Sequence, residues 1–135
     1  IANTYGGTEA GNLANYYAGL SYLKLKKYDK AVEYLSKFSS DDIGIGPVAL
    51  GAIGDAFADI NQFNDAVDYY LKATKKVNNY TTPLFLFKAG QLSMNLKNYS
   101  QALTLFKRIK SEFPTSYQAG EIDKYISSAE FAAKN

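Results

Sequence analysis

Residues 98–109 read NYSQALTLFKRI, and nearly the same pattern stands at 27–38 as KYDKAVEYLSKF and at 62–73 as QFNDAVDYYLKA. Each copy runs aromatic, short polar residue, any residue, alanine, and then a large apolar residue four places on. The alanines, Ala31, Ala66 and Ala102, are spaced 35 and 36 residues apart. Twelve residues before each alanine stands a glycine, Gly19, Gly54 and Gly90, within AGLSY, IGDAF and AGQLS. Self-similarity at a period of roughly 20–50 residues marks a stacked-repeat architecture, in which each unit buries its apolar face against its neighbours.

Each unit therefore reads as a first helix carrying a small residue, a turn, and a second helix carrying the alanine. Asp29, Asn64 and Ser100 share one column ahead of the second helices and are expected to be their N-caps. Pro47 and Pro83 are expected to open first helices, where a missing N–H costs nothing, with Thr82 as a further cap. Pro114 closes the third unit. Where two helices cross closely, glycine and alanine admit the backbone and larger residues interlock around them as ridges in grooves. Tyr22, Leu35, Phe57, Tyr70 and Phe106 are the expected fillers.

These marks resemble the tetratricopeptide repeat, with its period of about 34 residues and its L-G-x-x-Y, A-x-x-x-F and P signature. Here they read Ala18-Gly19-x-x-Tyr22 with Ala31 and Leu35, Ile53-Gly54-x-x-Phe57 with Ala66 and Tyr70, and Ala89-Gly90-x-x-Ser93 with Ala102, Phe106 and Pro114. The family's tryptophan position holds Asn15, Leu50 and Leu86, and Ser93 replaces a tyrosine. The extra residues of the longer period fall in the loops SSDDIGIG and VNNYTT, where insertions cost little. The resemblance implies an all-α, right-handed α-solenoid. Its units are 12–46, 47–82 and 83–114, preceded by the end of an upstream helix or linker at 1–11 with a Gly6-Gly7 break. Residues 115–135 are expected to form a capping helix, with Ile122, Tyr125, Ile126 and Ala129 inward and Asp123, Lys124, Ser127 and Glu130 outward.

A narrower resemblance lies in TEAGNLANYYAGLSYLKLKKYDKAVEYLSKF, ALGAIGDAF, IKSEFPTS and SEFPTSYQAGEIDKYISSAE. These runs are similar to tetratricopeptide domains of Gram-negative envelope proteins, namely a membrane-anchored family related to the ancillary subunit of the Sec translocon and the lipoproteins of outer-membrane protein assembly. That likeness implies a scaffold or chaperone-like adaptor on the periplasmic side of a membrane-anchored protein, with a cytoplasmic location as the alternative. The chain begins at Ile1, so it is expected to be a fragment or processed form whose anchor, if any, lies upstream.

The chemistry available is narrow. The chain of 135 residues has no histidine and no cysteine, which removes disulfides, thiolate nucleophiles and the commonest general base and metal ligand. Asp41 and Asp42 adjoin Gly44 and Gly46 but lack the alternating ligands of a calcium loop. The glycines of GIGPVALG follow no strand and do not fit a phosphate loop. No catalytic residue, metal or cofactor is expected. The net charge is +2, and basic residues gather no further than KLKK and KATKK, so nucleic acid is not an expected partner. No apolar run approaches the roughly 20 residues of a membrane span.

The expected partner is a protein or peptide. Opposite the packing columns, at about 100° per residue, the first helices carry a second face. In unit one it is Leu13, Tyr17, Leu20 and Lys24, flanked by Tyr16 and Leu23. In unit two it is Val48, Ala52, Asp55 and Asp59, flanked by Gly51 and Ala58. In unit three it is Leu84, Lys88, Gln91 and Asn95, flanked by Phe87 and Met94. Stacked units would turn these faces into a concave groove. Tyr16, Tyr17 and Phe87, with Leu13, Val48 and Leu84, are expected to hold an apolar segment. Lys88, Asp55 and Asp59 would orient its polar end, and Gly51 and Ala52 would leave room for it. The alternative is self-assembly, with the groove covered by the chain's own N-terminal segment or by a second copy. Lys88 is the only cation in the region where chaperone-type repeats clamp a carboxylate, so that mode is not expected.

Overall fold

The structure, a computed structural model, describes residues 8–135. Seven α-helices follow one another among them: α1 (Glu9–Lys24), α2 (Tyr28–Lys37), α3 (Ile45–Asp59), α4 (Phe63–Ala73), α5 (Thr81–Asn95), α6 (Tyr99–Glu112) and α7 (Ile122–Lys134), with a 3₁₀ turn at Gln118–Glu121. There is no strand among the described residues. The expected Gly6-Gly7 break lies outside them. Residues 9–11, expected to belong to an upstream element, are the first turn of α1, whose N-cap Thr8 accepts the Gly11 N–H. The glutamate in that turn and the lysine in the last suit the helix dipole.

Helices pair as α1–α2, α3–α4 and α5–α6, and each pair packs on the next through α2–α3, α4–α5 and α6–α7. The glycine column explains the pairing. A Cβ on Gly19 would lie 2.4 Å from Leu35 Cγ, one on Gly54 2.7 Å from Tyr70 Cδ1, and one on Gly90 2.5 Å from Phe106 Cε1. Each first helix thus seats one large side chain of its own second helix in the space a side chain would occupy. Ala31, Ala66 and Ala102 are fully buried at the same crossings. Phe57 packs against both core clusters and makes them continuous from α1 to α7. Tyr22, expected in the core, is only half-buried and stacks on Tyr34 at 5.5 Å, because no preceding unit covers it among the described residues. In α7, Ile122, Ile126 and Ala129 are buried while Asp123, Lys124, Ser127 and Glu130 face out, as a cap requires.

The turns within the units share a device that their residue types do not announce. Lys26, Asn61 and Lys97 all take left-handed φ, between 61° and 63°. The next N–H, of Lys27, Gln62 or Asn98, bonds back to Tyr22, Phe57 or Ser93. The N–H groups of Lys26, Asn61 and Lys97 reach Leu23, Ala58 and Met94. This is a Schellman motif repeated three times, and it satisfies the last carbonyls of each first helix. The second helices consequently start earlier than expected. Their N-caps are Lys27, Gln62 and Asn98, and Asp29, Asn64 and Ser100 are the second residues of their helices. Only Asn98 caps with its side chain, accepting the Gln101 N–H.

Between units, two short polar side chains fold the connections. Asp42 Oδ1 accepts the N–H groups of Gly44 and Ile45, and Asn78 Oδ1 accepts those of Tyr80 and Thr81. The loops are tied together by Asn78 Nδ2 on the Ile43 carbonyl and by Lys76 on Asp41. Thr82 is therefore not a cap: it sits inside α5, fully buried, and its Oγ1 accepts the Asn78 N–H. Pro47 and Pro83 each stand third in their helices, still within the turn whose N–H groups lack helical partners. Of the departures from the family pattern, the polar ones, Asn15 and Ser93, are both buried. Ser93 Oγ lies 2.8 Å from the Ala89 carbonyl and 2.9 Å from Gln101 Oε1. Asn15 is 1% exposed, and its Oδ1 finds no hydrogen-bond partner among the described residues.

Candidate functional site

The first helices touch in series, α1 to α3 and α3 to α5, whereas α2, α4 and α6 make no comparable contact with one another. The stack therefore curves with α1, α3 and α5 on its inner side. The residues expected to form the groove lie on these three helices, but they divide into supports and exposed groups.

Tyr16 and Leu20 are half-buried supports packed on the cluster around Leu35, Ala49 and Ile53. The Tyr16 ring sits 4.8 Å from Phe38 and 5.4 Å from Tyr17, and burial followed by the neighbouring Tyr17 raises its phenol pKa. Leu84 and Phe87 pack on the other cluster, Phe87 edge-on to Tyr125 at 4.9 Å. Val48 is half-buried and Ala52 buried. Leu13 and Tyr17 are the open apolar groups of the set, 37% and 63% exposed. Gly51 does not leave room for a ligand. A Cβ there would lie 2.0 Å from Phe85 Cζ, so the ring of the next unit already fills that space.

The polar residues are not three independent anchors either. Lys88 Nζ lies 2.9 Å from Asp55 Oδ1, and the Tyr70 hydroxyl donates to the same oxygen at 2.5 Å. The ammonium also stands over the Tyr70 and Phe85 rings, 5.7 and 5.9 Å from their centroids. Burial first, then the hydrogen bond and charge of Asp55 and the charge of Asp59, push the Tyr70 phenol well above its ordinary value. Lys88 is thus paired within the chain at a half-buried position, and the network ties α3, α4 and α5 together. Asp59 is exposed. The Tyr28 phenol is raised by desolvation and then by the charge and hydrogen bond of Asp59.

The inner face opens at its third unit into a cavity of about 810 Å³. Leu84, Phe87, Lys88 and Gln91 of α5 form one wall; Tyr117, Gln118, Gly120, Glu121 and Tyr125 form the other. A smaller recess of about 190 Å³, between Ala58, Tyr70 and Leu92, shares Lys88 and Gln91 with it. Tyr117 is 95% exposed at its mouth. The second wall was not anticipated from the sequence; the aromatic spacing of Tyr117 and Tyr125 after Pro114 was its available signal. The face combines aromatic rings, side-chain amides, the Lys88–Asp55 pair and the exposed carboxylates of Glu121 and Asp59, which suits apolar and hydrogen-bonding contact. Among the described residues no cluster of histidine, cysteine, aspartate or glutamate could hold a metal ion, and no helix is long and apolar enough to cross a membrane.

Models of the tetratricopeptide repeat match residues 13–41, 48–75 and 85–116. No curated protein matches the sequence. Among solved structures, the TPR2B domain of yeast Sti1, in a complex with pHsp70, is similar with a TM-score of 0.66 at 18% identity, over 89% of this chain and 96% of that one.

Proposed function

The chain belongs to the tetratricopeptide repeat family, and on that premise we propose that it is a non-catalytic protein-interaction module taking an apolar segment of a partner into its inner face. One observation carries this: α5 and the C-terminal cap bound an open cavity of about 810 Å³ lined by Phe87, Tyr117 and Tyr125. Clefts of about 300–1,000 Å³ with apolar walls and a few polar groups are the usual form of a binding site. Gln91 and Gln118 supply amides able to bond a peptide backbone in either sense. Leu13 and Tyr17 extend the face to the first unit. The TPR2B domain of Sti1, solved with pHsp70, supports use of the same fold to hold a protein segment. The pairing of Lys88 with Asp55 argues against capture of a partner's carboxylate here. We place the module in a scaffold or adaptor of the bacterial envelope on the resemblance stated above; fractionation of the full-length gene product tests that location.

The binding reading is tested by affinity capture with the immobilised chain and identification of retained proteins by mass spectrometry. A Leu13→Ser/Tyr17→Ala double variant changes only exposed groups, and Asp68→Lys, at an exposed position of α4, is the control. Loss of the captured proteins in the double variant alone is expected. Equal capture by all three contradicts an inner-face site.

A further inference from the structure

A second cavity, of about 390 Å³, shares no residue with the first and lies where α2 and α4 end and α3 begins. Its floor is apolar, built from Leu35, Phe38, Pro47, Ala49, Leu50 and Ala73. Its rim is cationic: Lys72, Lys75 and Lys76 line it, and no carboxylate does. The α2–α3 connection contributes Phe38, Ser39 and Ser40 to its lining. Its wall at Ser39 is held to α1 by a pair of bonds, Asn12 Nδ2 to the Ser39 carbonyl and the Ser39 N–H to Asn12 Oδ1. On the other side Gly46 lets the Ser40 carbonyl approach to within 2.9 Å of where a Cβ would stand. The cavity is therefore preformed.

The three lysines are not equivalent. Lys76 is engaged with Asp41, by its carbonyl at 2.9 Å and its carboxylate at 3.4 Å. Lys72 is held over the Tyr69 ring at 4.3 Å and, like Lys75, has no ion-pair partner among the described residues. Two ammonium groups beside one apolar pit complement a ligand with one large apolar group and more than one carboxylate.

We propose that this cavity is a second docking site, for an acidic peptide segment of a partner protein that inserts a leucine or phenylalanine between flanking carboxylates. A single anionic head would satisfy only one of the two lysines that lack an ion-pair partner among the described residues, whereas a peptide brings carboxylates on both sides of its anchor. A cavity at the low end of the ligand-site range receives one or two side chains and not a whole helix. With the inner face holding one segment and this edge another, the chain could join two acidic or apolar elements at once.

The test uses residues 1–135 and a fluorescein-labelled peptide, Glu-Glu-Leu-Phe-Glu-Glu, followed by anisotropy and by amide NMR shifts. Saturable binding is expected, weakening as salt is raised, with shifts centred on Ser39, Gly46, Leu50 and Lys72. Exposed surface charges that steer and hold a ligand are removed in Lys72→Gln/Lys75→Gln, which should lose about tenfold or more in affinity while keeping its helical spectrum. A Glu-Glu-Ser-Ser-Glu-Glu peptide should bind at least about tenfold more weakly for lack of burial. Leu13→Ser/Tyr17→Ala should bind the acidic peptide as wild type does, so the two sites fail or hold separately. The proposal is overturned by absence of binding at millimolar peptide, by equal affinity for the serine peptide or for the lysine variant, by shifts confined to α5 and α7, or by dodecanoate binding the cavity where the peptide does not.

Discussion

Gly51→Ala separates two views of the inner face by the sign of its effect. If Gly51 faced open space, alanine in mid-helix would stabilise the protein by roughly 0.5–1 kcal/mol. The structure instead puts the new Cβ 2.0, 2.2 and 2.7 Å from three carbons of the Phe85 ring. Carbon atoms rest about 3.5–4.0 Å apart, so the ring must retreat by about 1.5 Å. Phe85 is buried and stacked on Tyr70 at 5.8 Å, and Tyr70 is itself bonded to Asp55, so the retreat disturbs three helices. Overpacking of this kind costs about 1–3 kcal/mol, which outweighs the propensity gain and leaves a net loss of about 1–2 kcal/mol. By calorimetry the melting temperature should fall by roughly 4 °C per kcal/mol. Gly120→Ala is the control: nothing lies within 4 Å of its Cβ position, and it should be neutral or mildly stabilising. Adding Phe85→Leu to Gly51→Ala should cost less than the two changes summed, since they share one contact. A rise in melting temperature for Gly51→Ala would refute the packing described for α3 and α5.

Three further outcomes follow from the same geometry. Lys97→Gly relieves a left-handed residue at φ 61° and should raise stability by about 0.5–1 kcal/mol in urea unfolding; a fall would mean that the turn is not a Schellman motif. Asn15→Leu replaces a buried oxygen without a partner by the residue found at the equivalent positions 50 and 86, and should stabilise by about 1 kcal/mol, with destabilisation showing that a donor meets Oδ1. Tyr70 holds its proton more tightly folded than unfolded, so its contribution is whole below its ordinary pKa of 10.0 and is lost as pH rises above that value. Tyr70→Phe should therefore lose stability less steeply than wild type between about pH 9 and 11.5, and parallel curves would contradict the raised phenol.

Repeat, helix order and capping helix were legible because each rests on residue types that physics restricts. The glycine and alanine columns recur because only small residues admit Leu35, Tyr70 and Phe106 at the crossings. The helix starts were misplaced because Lys26, Asn61 and Lys97 are ordinary residues whose left-handed φ leaves no mark in composition. Asp29, Asn64 and Ser100 are good capping types, but the chain had already entered the helix when it reached them. On the inner face, helical periodicity gave a direction for each side chain and no account of what covers it. Periodicity presents Phe87 as open, although Tyr125, contributed by a helix 38 residues later in the sequence, packs edge-on against it. Gly51 suggests open space in sequence alone, because the ring that fills it belongs to the following unit. The Lys88–Asp55 pair spans 33 residues, beyond any local pattern. Tyr117 and Tyr125 carry no local mark of a site, because a capping helix is expected only to pack.

Site-specific photo-crosslinking tests the inner-face account most directly. A benzoylphenylalanine is placed singly at Gln91 in the cavity, at Leu13 on the first helix, and at Asp68 on α4, all three exposed, and the full-length protein is irradiated in its own cells. Adducts to the same partner protein at positions 91 and 13, with none at 68, are predicted. Adducts at position 68 alone, or adducts only between copies of this chain, would contradict an inner face that receives a partner segment.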